Sequence, residues 1–179
     1  MASMETIESA VYQQAAEIPG PELAKDWHCW SVLCEMAGDV LGAAEAELTA
    51  AWVCDDEIAV KAGLVFRENA IRHLRGHLEA SAPSVEPQTQ LLSVLLDLQR
   101  RTENFSDARS TIEFLARDGA DLDETDSIKG LLQLQTYLVE EEDGRRFTFD
   151  DVKLYSRSPE KWQRRQRRRD SGHPWWRFW

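Results

Sequence analysis

Lysine is scarce in this chain of 179 residues: there are five, against 16 arginines, and 32 Asp and Glu bring the net charge to −11. A surplus of acid repels nucleic acid and anionic membranes, so any binding to either has to come from a local basic segment. Few lysines with many acids suit a high-salt cytoplasm or follow from a GC-rich genome, and composition alone does not separate the two. Cysteine is nearly absent as well. Cys29, Cys34 and Cys54 are odd in number and none has CxxC spacing, which argues against a disulfide framework and for a reducing, cytoplasmic setting. The first twenty residues carry Glu5, Glu8 and Glu17 and no Lys or Arg, the wrong pattern for a signal or transit peptide. The longest apolar run, Leu91 to Leu98, is broken by Ser93 and Asp97 and falls far short of a membrane span. There is no glycine-rich phosphate loop, no HExxH, no supported Ser/His/Asp arrangement and no pair of catalytic acids. A non-enzymatic protein is therefore expected, with no cofactor and no small-molecule ligand.

What is present is a helical pattern. Hydrophobic content of 42% and charged content of 30% fit a soluble globular domain, and this length buries about 70% of the unfolded surface without disulfides or metal. Residues 38–57 are the organising stretch: Gly38 and Asp39 signal a turn, then an Ala-rich run closes in acids. Residues 103–118 repeat it. With Gly38 set against Glu103, Ala43 falls on Ala108 and Ala50 on Leu115. Small residues at such positions let two helices approach closely.

In order, residues 1–18 predict a short helix with Ile7, Val11, Ala15 and Ile18 on one face, ended by Pro19-Gly20-Pro21. Residues 22–37 predict a helix whose core stripe is Leu23, Trp27, Trp30, Leu33, Cys34 and Ala37. Gly38 fits its C′ position and Asp39 caps the next helix, which points Leu41, Ala44, Leu48, Ala51 and Trp52 inward. Further helices are predicted over 57–80, 88–101, about 104–118 and 126–142, with a linker at 80–87. Residues 145–157 read as an extended connector, because Phe147-Thr148-Phe149 alternates like a strand. Ser158-Pro159-Glu160 is a helix start. The expected parts are a terminal helix or arm at 1–21, a helical-repeat domain at 22–144, the connector at 145–157 and a basic, Trp-rich tail at 158–179.

Gly38, Asp39, Ala43 and Ala50, with a second copy in Asn104, Phe105 and Ala108, resemble tetratricopeptide (TPR)-type helical repeats, which pair short helices at a period of about 34 residues. Trp30 and Leu33 match that family's leading-helix Trp-x-x-Leu, about three residues closer to the turn than the pattern asks. Leu115 stands where its second Ala belongs, and no Pro follows the first repeat. Ala51-Trp52-x-x-Asp55-Asp56 is also similar to a segment of some prokaryotic TPR-like proteins, though the CxxC zinc ribbon many of them carry is missing. The resemblance implies an all-α array of about six or seven antiparallel helices that works by protein–protein contact.

Candidate chemistry is thin. His73 and His77 stand at i, i+4, a metal-binding spacing that needs a third ligand from elsewhere; a metal-dependent enzyme is the weaker alternative, and polar surface is the commoner reading. The thiols sit on apolar stripes or beside tryptophans, which favours structural burial over nucleophilic use. Asp55-Asp56-Glu57, Asp121 to Asp126 and Glu140 to Asp143 lack the spacing of a calcium loop and read as solvated acid, or together as a face for a basic peptide.

The C-terminus is the sharpest signal. Residues 159–179 hold seven Lys or Arg against two acids, whereas residues 1–158 hold 14 against 30. Trp162, Arg164, Arg165, Arg167, Arg168 and Arg169 lie on one short predicted helix, followed by Trp175, Trp176, Phe178 and Trp179. All ten are candidate partner-binding residues. Docking on protein, in cis or on a second subunit, is favoured by the opposite charge of the body. A nucleic acid or an anionic membrane bound through residues 159–179 is the alternative.

Overall fold

In the computed structural model the described residues are 10–80, 85–118 and 126–170. Among them the chain is all helical, with nine helices and no strand: α1 (Ala10–Ala16), α2 (Glu22–Met36), α3 (Val40–Asp56), α4 (Val60–Ala80), α5 (Val85–Arg101), α6 (Phe105–Asp118), α7 (Asp126–Glu140), α8 (Phe149–Arg157) and α9 (Pro159–Asp170). None of these is long and apolar enough to cross a membrane. The linker expected at 80–87 lies partly outside the described residues. Helix α5 starts at Val85, earlier than predicted, with Pro87 in a first turn that does not need its N–H.

Each helix packs chiefly on its neighbours in the chain, with α5 also touching α7. Paired contacts run backwards along α2 as they run forwards along α3: Ser31 Oγ donates to the Ala43 carbonyl at 3.1 Å, and His28 Nδ1 lies 2.6 Å from Glu47 Oε1. The two helices are therefore antiparallel. The core is a succession of small clusters. Ala24, Ala50, Ala51, Cys54, Ala62 and Phe66 join α2, α3 and α4. Ala44, Ala70, Ile71, Leu74, Leu95 and Leu98 join α3, α4 and α5. Leu96, Ala108 and Val139 join α5, α6 and α7, with Leu115 packed against them. Ala43, Ala50 and Ala108 are fully buried, as their small size in the two turn-and-helix segments predicts.

Four helices end alike. After α2, α3, α5 and α7 one residue turns left-handed, and the next N–H reaches the carbonyl five residues back. Those N–H groups belong to Asp39, Ala59, Asn104 and Asp143, at 2.7–2.9 Å from the carbonyls of Cys34, Cys54, Gln99 and Leu138. Gly38 takes the first left-handed position at φ 78°, and Asp39 then accepts from the Gly42 N–H at 2.9 Å, as its cap role predicts. Ile58 takes the second at φ 59° while 83% exposed. A β-branched residue is strained there and its side chain gains nothing in return. Ile58→Gly is expected to stabilise the fold by about 1 kcal/mol and to raise the melting temperature by about 2–4 °C. A lower melting temperature in a calorimetric scan would refute the strain argument.

Three expectations are corrected. The connector at 145–157 is extended only to residue 148, because Thr148 and Asp151 form a capping box that starts α8. The Thr148 hydroxyl accepts from the Asp151 N–H, and the Asp151 carboxylate accepts from the Thr148 N–H at 2.9 Å. Of the stripe expected on α2, Cys34 is buried, but Leu23, Trp27 and Trp30 face outward, because the helix buries Ala24, Cys29, Ser31 and Val32 instead. Trp52 is 48% exposed, because α3 packs through its alanines, Glu47 and Cys54.

Polar groups tie the layers together. Arg100 is fully buried; Nη1 donates to the carbonyls of Asp143 and Arg145, both at 2.6 Å, and Nη2 to Asp97 Oδ1 at 2.7 Å. Its guanidinium lies 5.1 Å from the centre of the Phe147 ring. This one side chain fixes the segment between α7 and α8 onto α5. Asp55 plays the same part further up the chain, accepting from Arg67 on α4 and from Arg101 Nη2 on α5, the latter at 2.7 Å.

Candidate interaction surface

Helix α9 is built as its sequence predicts, from Pro159, and its inner face packs on Asp151, Val152 and Tyr155 of α8. The Asp151 carboxylate that caps α8 also accepts from Trp162 Nε1 at 3.0 Å and from Gln166 Nε2 at 3.4 Å. Burial raises the Asp151 carboxyl, but hydrogen bonds from Thr148 and Trp162 and the charge of Arg165 outweigh it and hold it below the ordinary carboxylate range. Trp162 is 3% exposed and packs with Leu134, Leu138 and Val152. It meets Tyr137 and Tyr155 edge-on at centroid distances of 5.8 and 5.5 Å. Its expected role in partner binding is therefore corrected. The indole is core, because its N–H finds a buried acceptor and its ring fills the space between α7 and α8.

The arginines stand otherwise. Arg164, Arg165, Arg167, Arg168 and Arg169 are all exposed, which leaves the outer face of α9 cationic. Arg164 comes only to 4.0 Å of Glu160, an exposed pair that contributes little. Trp175, Trp176, Phe178 and Trp179 lie outside the described residues.

A second surface carries residues whose periodicity predicts core. Leu23, Trp27 and Trp30 share one face of α2 at i, i+4 and i+7, with Trp30 53% exposed. Asp26 stands among them, also exposed. Periodicity places these three on one stripe without saying which stripe faces the neighbours; the compact Ala24, Ser31 and Val32 on the other side were the missed signal.

The remaining candidates have structural partners. His73 is buried, and Arg72 Nη2 is 3.0 Å from its Nε2, a contact that suits neutral imidazole as the acceptor. Burial first, and the Arg72 charge second, hold its pKa below the ordinary histidine value. That nitrogen is engaged by a cation and is poorly placed to take a metal with His77; no cluster of three metal-binding side chains occurs among the described residues. Cys29, Cys34 and Cys54 are buried thiols, and burial pushes all three pKa values up, away from nucleophilic character. The acidic runs are partly spent inside the molecule. Asp55 pairs with Arg67 and Arg101, Asp56 lies 3.4 Å from Arg146, and Asp143 holds Arg145. The second run falls almost wholly outside the described residues. Among the described residues the surface offers aromatic and arginine contacts. Neither the family models, nor the curated proteins, nor the solved structures contain a match to the chain.

Proposed function

We propose that the chain is a non-catalytic protein-interaction module, an adaptor whose helical hairpins stack in the tetratricopeptide manner. The stacking is supported by helix-to-next-helix packing, the buried Ala43, Ala50 and Ala108, and the matching turns at Gly38 and Glu103. The observation that carries the function is the outward stripe of Leu23, Trp27 and Trp30 on α2. Large apolar side chains grouped on one helix face are costly in water, and tryptophans are the usual anchors of protein interfaces. The partner is a protein, another copy of the chain included, and the arginine face of α9 supplies charge steering toward an acidic one.

The test compares wild type with a Trp27→Ala/Trp30→Ala variant, in sedimentation over a range of concentrations and in affinity purification from the native cell. Both side chains are exposed, so the fold should persist. Loss of self-association or of a reproducible partner is expected. An unchanged assembly state together with unchanged partners would sink the reading. The rival, nucleic acid or anionic membrane bound through α9, is tested with Arg164→Gln/Arg165→Gln/Arg168→Gln rather than by cutting at 159, which would remove the buried Trp162. Tight, steeply salt-dependent binding of single-stranded RNA or anionic vesicles, lost in that variant, would favour the rival.

A further inference from the structure

Between α7 and α8 lies an open cleft of about 570 Å³, within the usual size range for small-molecule sites. Lys129 and Gln133 form one wall, and Phe149, Lys153 and Arg157 the other. Three cations meet here in a chain of net charge −11, and no carboxylate lines the cleft among the described residues. Outside the cationic face of α9 most arginines are neutralised: Arg67, Arg75, Arg100, Arg101, Arg109, Arg145 and Arg146 each pair with an acid. Lys129, Lys153 and Arg157 pair with no described carboxylate. Gathering like charges raises their mutual repulsion and leaves a local positive potential that only an anion relieves.

Two further features shape the site. Phe149 is 61% exposed at the rim, with Lys153 Nζ 4.6 Å from its ring centre. A flat aromatic face beside cations suits a ligand that is both planar and anionic. The floor depends on Gly130. A Cβ there would collide with Ser156 Oγ and crowd Ser156 Cβ, so glycine in mid-helix, unfavourable by about 1 kcal/mol, is what lets α8 close onto α7. The Ser156 hydroxyl donates its proton to the Val152 carbonyl at 2.8 Å, which keeps its oxygen available as an acceptor at the cleft wall.

We propose that this cleft binds a nucleoside phosphate. Lys129, Lys153 and Arg157 hold the phosphate oxygens, and the base stacks on Phe149. The site is separate from the α2 stripe and from the arginine face of α9, and it departs from the expectation of no small-molecule ligand.

The test is calorimetric titration of the full chain with ADP, pyrophosphate and adenosine at 0.15 M salt, with circular dichroism to check each variant's fold. One ADP per chain is expected, with pyrophosphate weaker and adenosine weaker still. Lys153→Glu and Arg157→Glu should each weaken ADP about tenfold or more, since each removes a charge-assisted hydrogen bond and adds repulsion. Phe149→Ala should weaken ADP about tenfold and leave pyrophosphate unchanged. Arg164→Gln/Arg168→Gln on α9 should leave ADP unchanged. The proposal falls if ADP fails to bind at millimolar concentration, or if folded Lys153→Glu binds it like wild type. It falls equally if pyrophosphate binds as tightly as ADP, or if the α9 variant is the one that loses binding.

Discussion

Trp162→Ala should cost about 3–5 kcal/mol of unfolding free energy, the range for truncating a buried aromatic. The ring is enclosed by Leu134, Leu138 and Val152 and touches two tyrosines edge-on, so alanine leaves a cavity and breaks two aromatic pairs. It also strips the Nε1 donor from Asp151, a buried carboxylate that must then rely on Thr148 and Gln166. Trp162→Phe keeps most of the filling and loses the donor, so a smaller cost of about 1–3 kcal/mol is expected. Trp52→Ala provides the contrast, at under about 1 kcal/mol, because that side chain lies half in solvent. Urea unfolding of the three variants measures all of this. If the order of Trp162 and Trp52 came out reversed, the packing of α9 described above would be wrong.

Asp55→Ala is expected to cost about 3–5 kcal/mol, because it abandons two arginines that are themselves mostly buried. The pH dependence is a second check. Burial raises the Asp55 carboxyl, but the hydrogen bonds and charges of Arg67 and Arg101 outweigh it and bring the folded pKa below the ordinary value. A carboxyl depressed by folding stabilises fully above its unfolded pKa, about 3.9, and loses that contribution as pH falls through the folded pKa. The gap in stability between wild type and Asp55→Ala should therefore be full at neutral pH and begin to shrink below about pH 4. A gap that held constant into stronger acid would mean that the ion pairs do not carry the effect.

All the helices but α8 could be read from the chain, because turn chemistry is local: Gly38 with Asp39, the Pro19 to Pro21 break and the Ser158-Pro159 start all act over a few residues. The orientation of the helices could not. Alanine and cysteine make α3 apolar almost all round, and on α2 small residues line the face beside the large ones, with Cys34 buried on the large stripe itself. Weighting by size put Leu23, Trp27, Trp30 and Trp52 inside; close helix approach selected the small stripe instead. At residues 147–149 an alternating pattern suggested a strand, yet Thr148 and Asp151, three apart, already spelled a capping box. As for the site residues, Arg164 to Arg169 were legible as a charged run apart from Gln166. Trp162 was not legible as core, since nothing near it in sequence reveals Tyr137 or Asp151. Of the three cations of the cleft, Lys129 on α7 stands more than twenty residues before Lys153 and Arg157 on α8, and only the packing at Gly130 unites them.

The placement of the thiols has a practical consequence. Cys29, Cys34 and Cys54 all sit in α2 and α3, buried, with burial holding them in the less reactive protonated form. A thiol-trapping reagent added to the native protein thus reports only the moments when this first hairpin opens. Modification rates that track global unfolding as denaturant rises would describe one cooperative molecule. Faster labelling would describe a scaffold whose leading end breathes while the rest stays shut, and the chain carries the clock for that measurement without any engineered label.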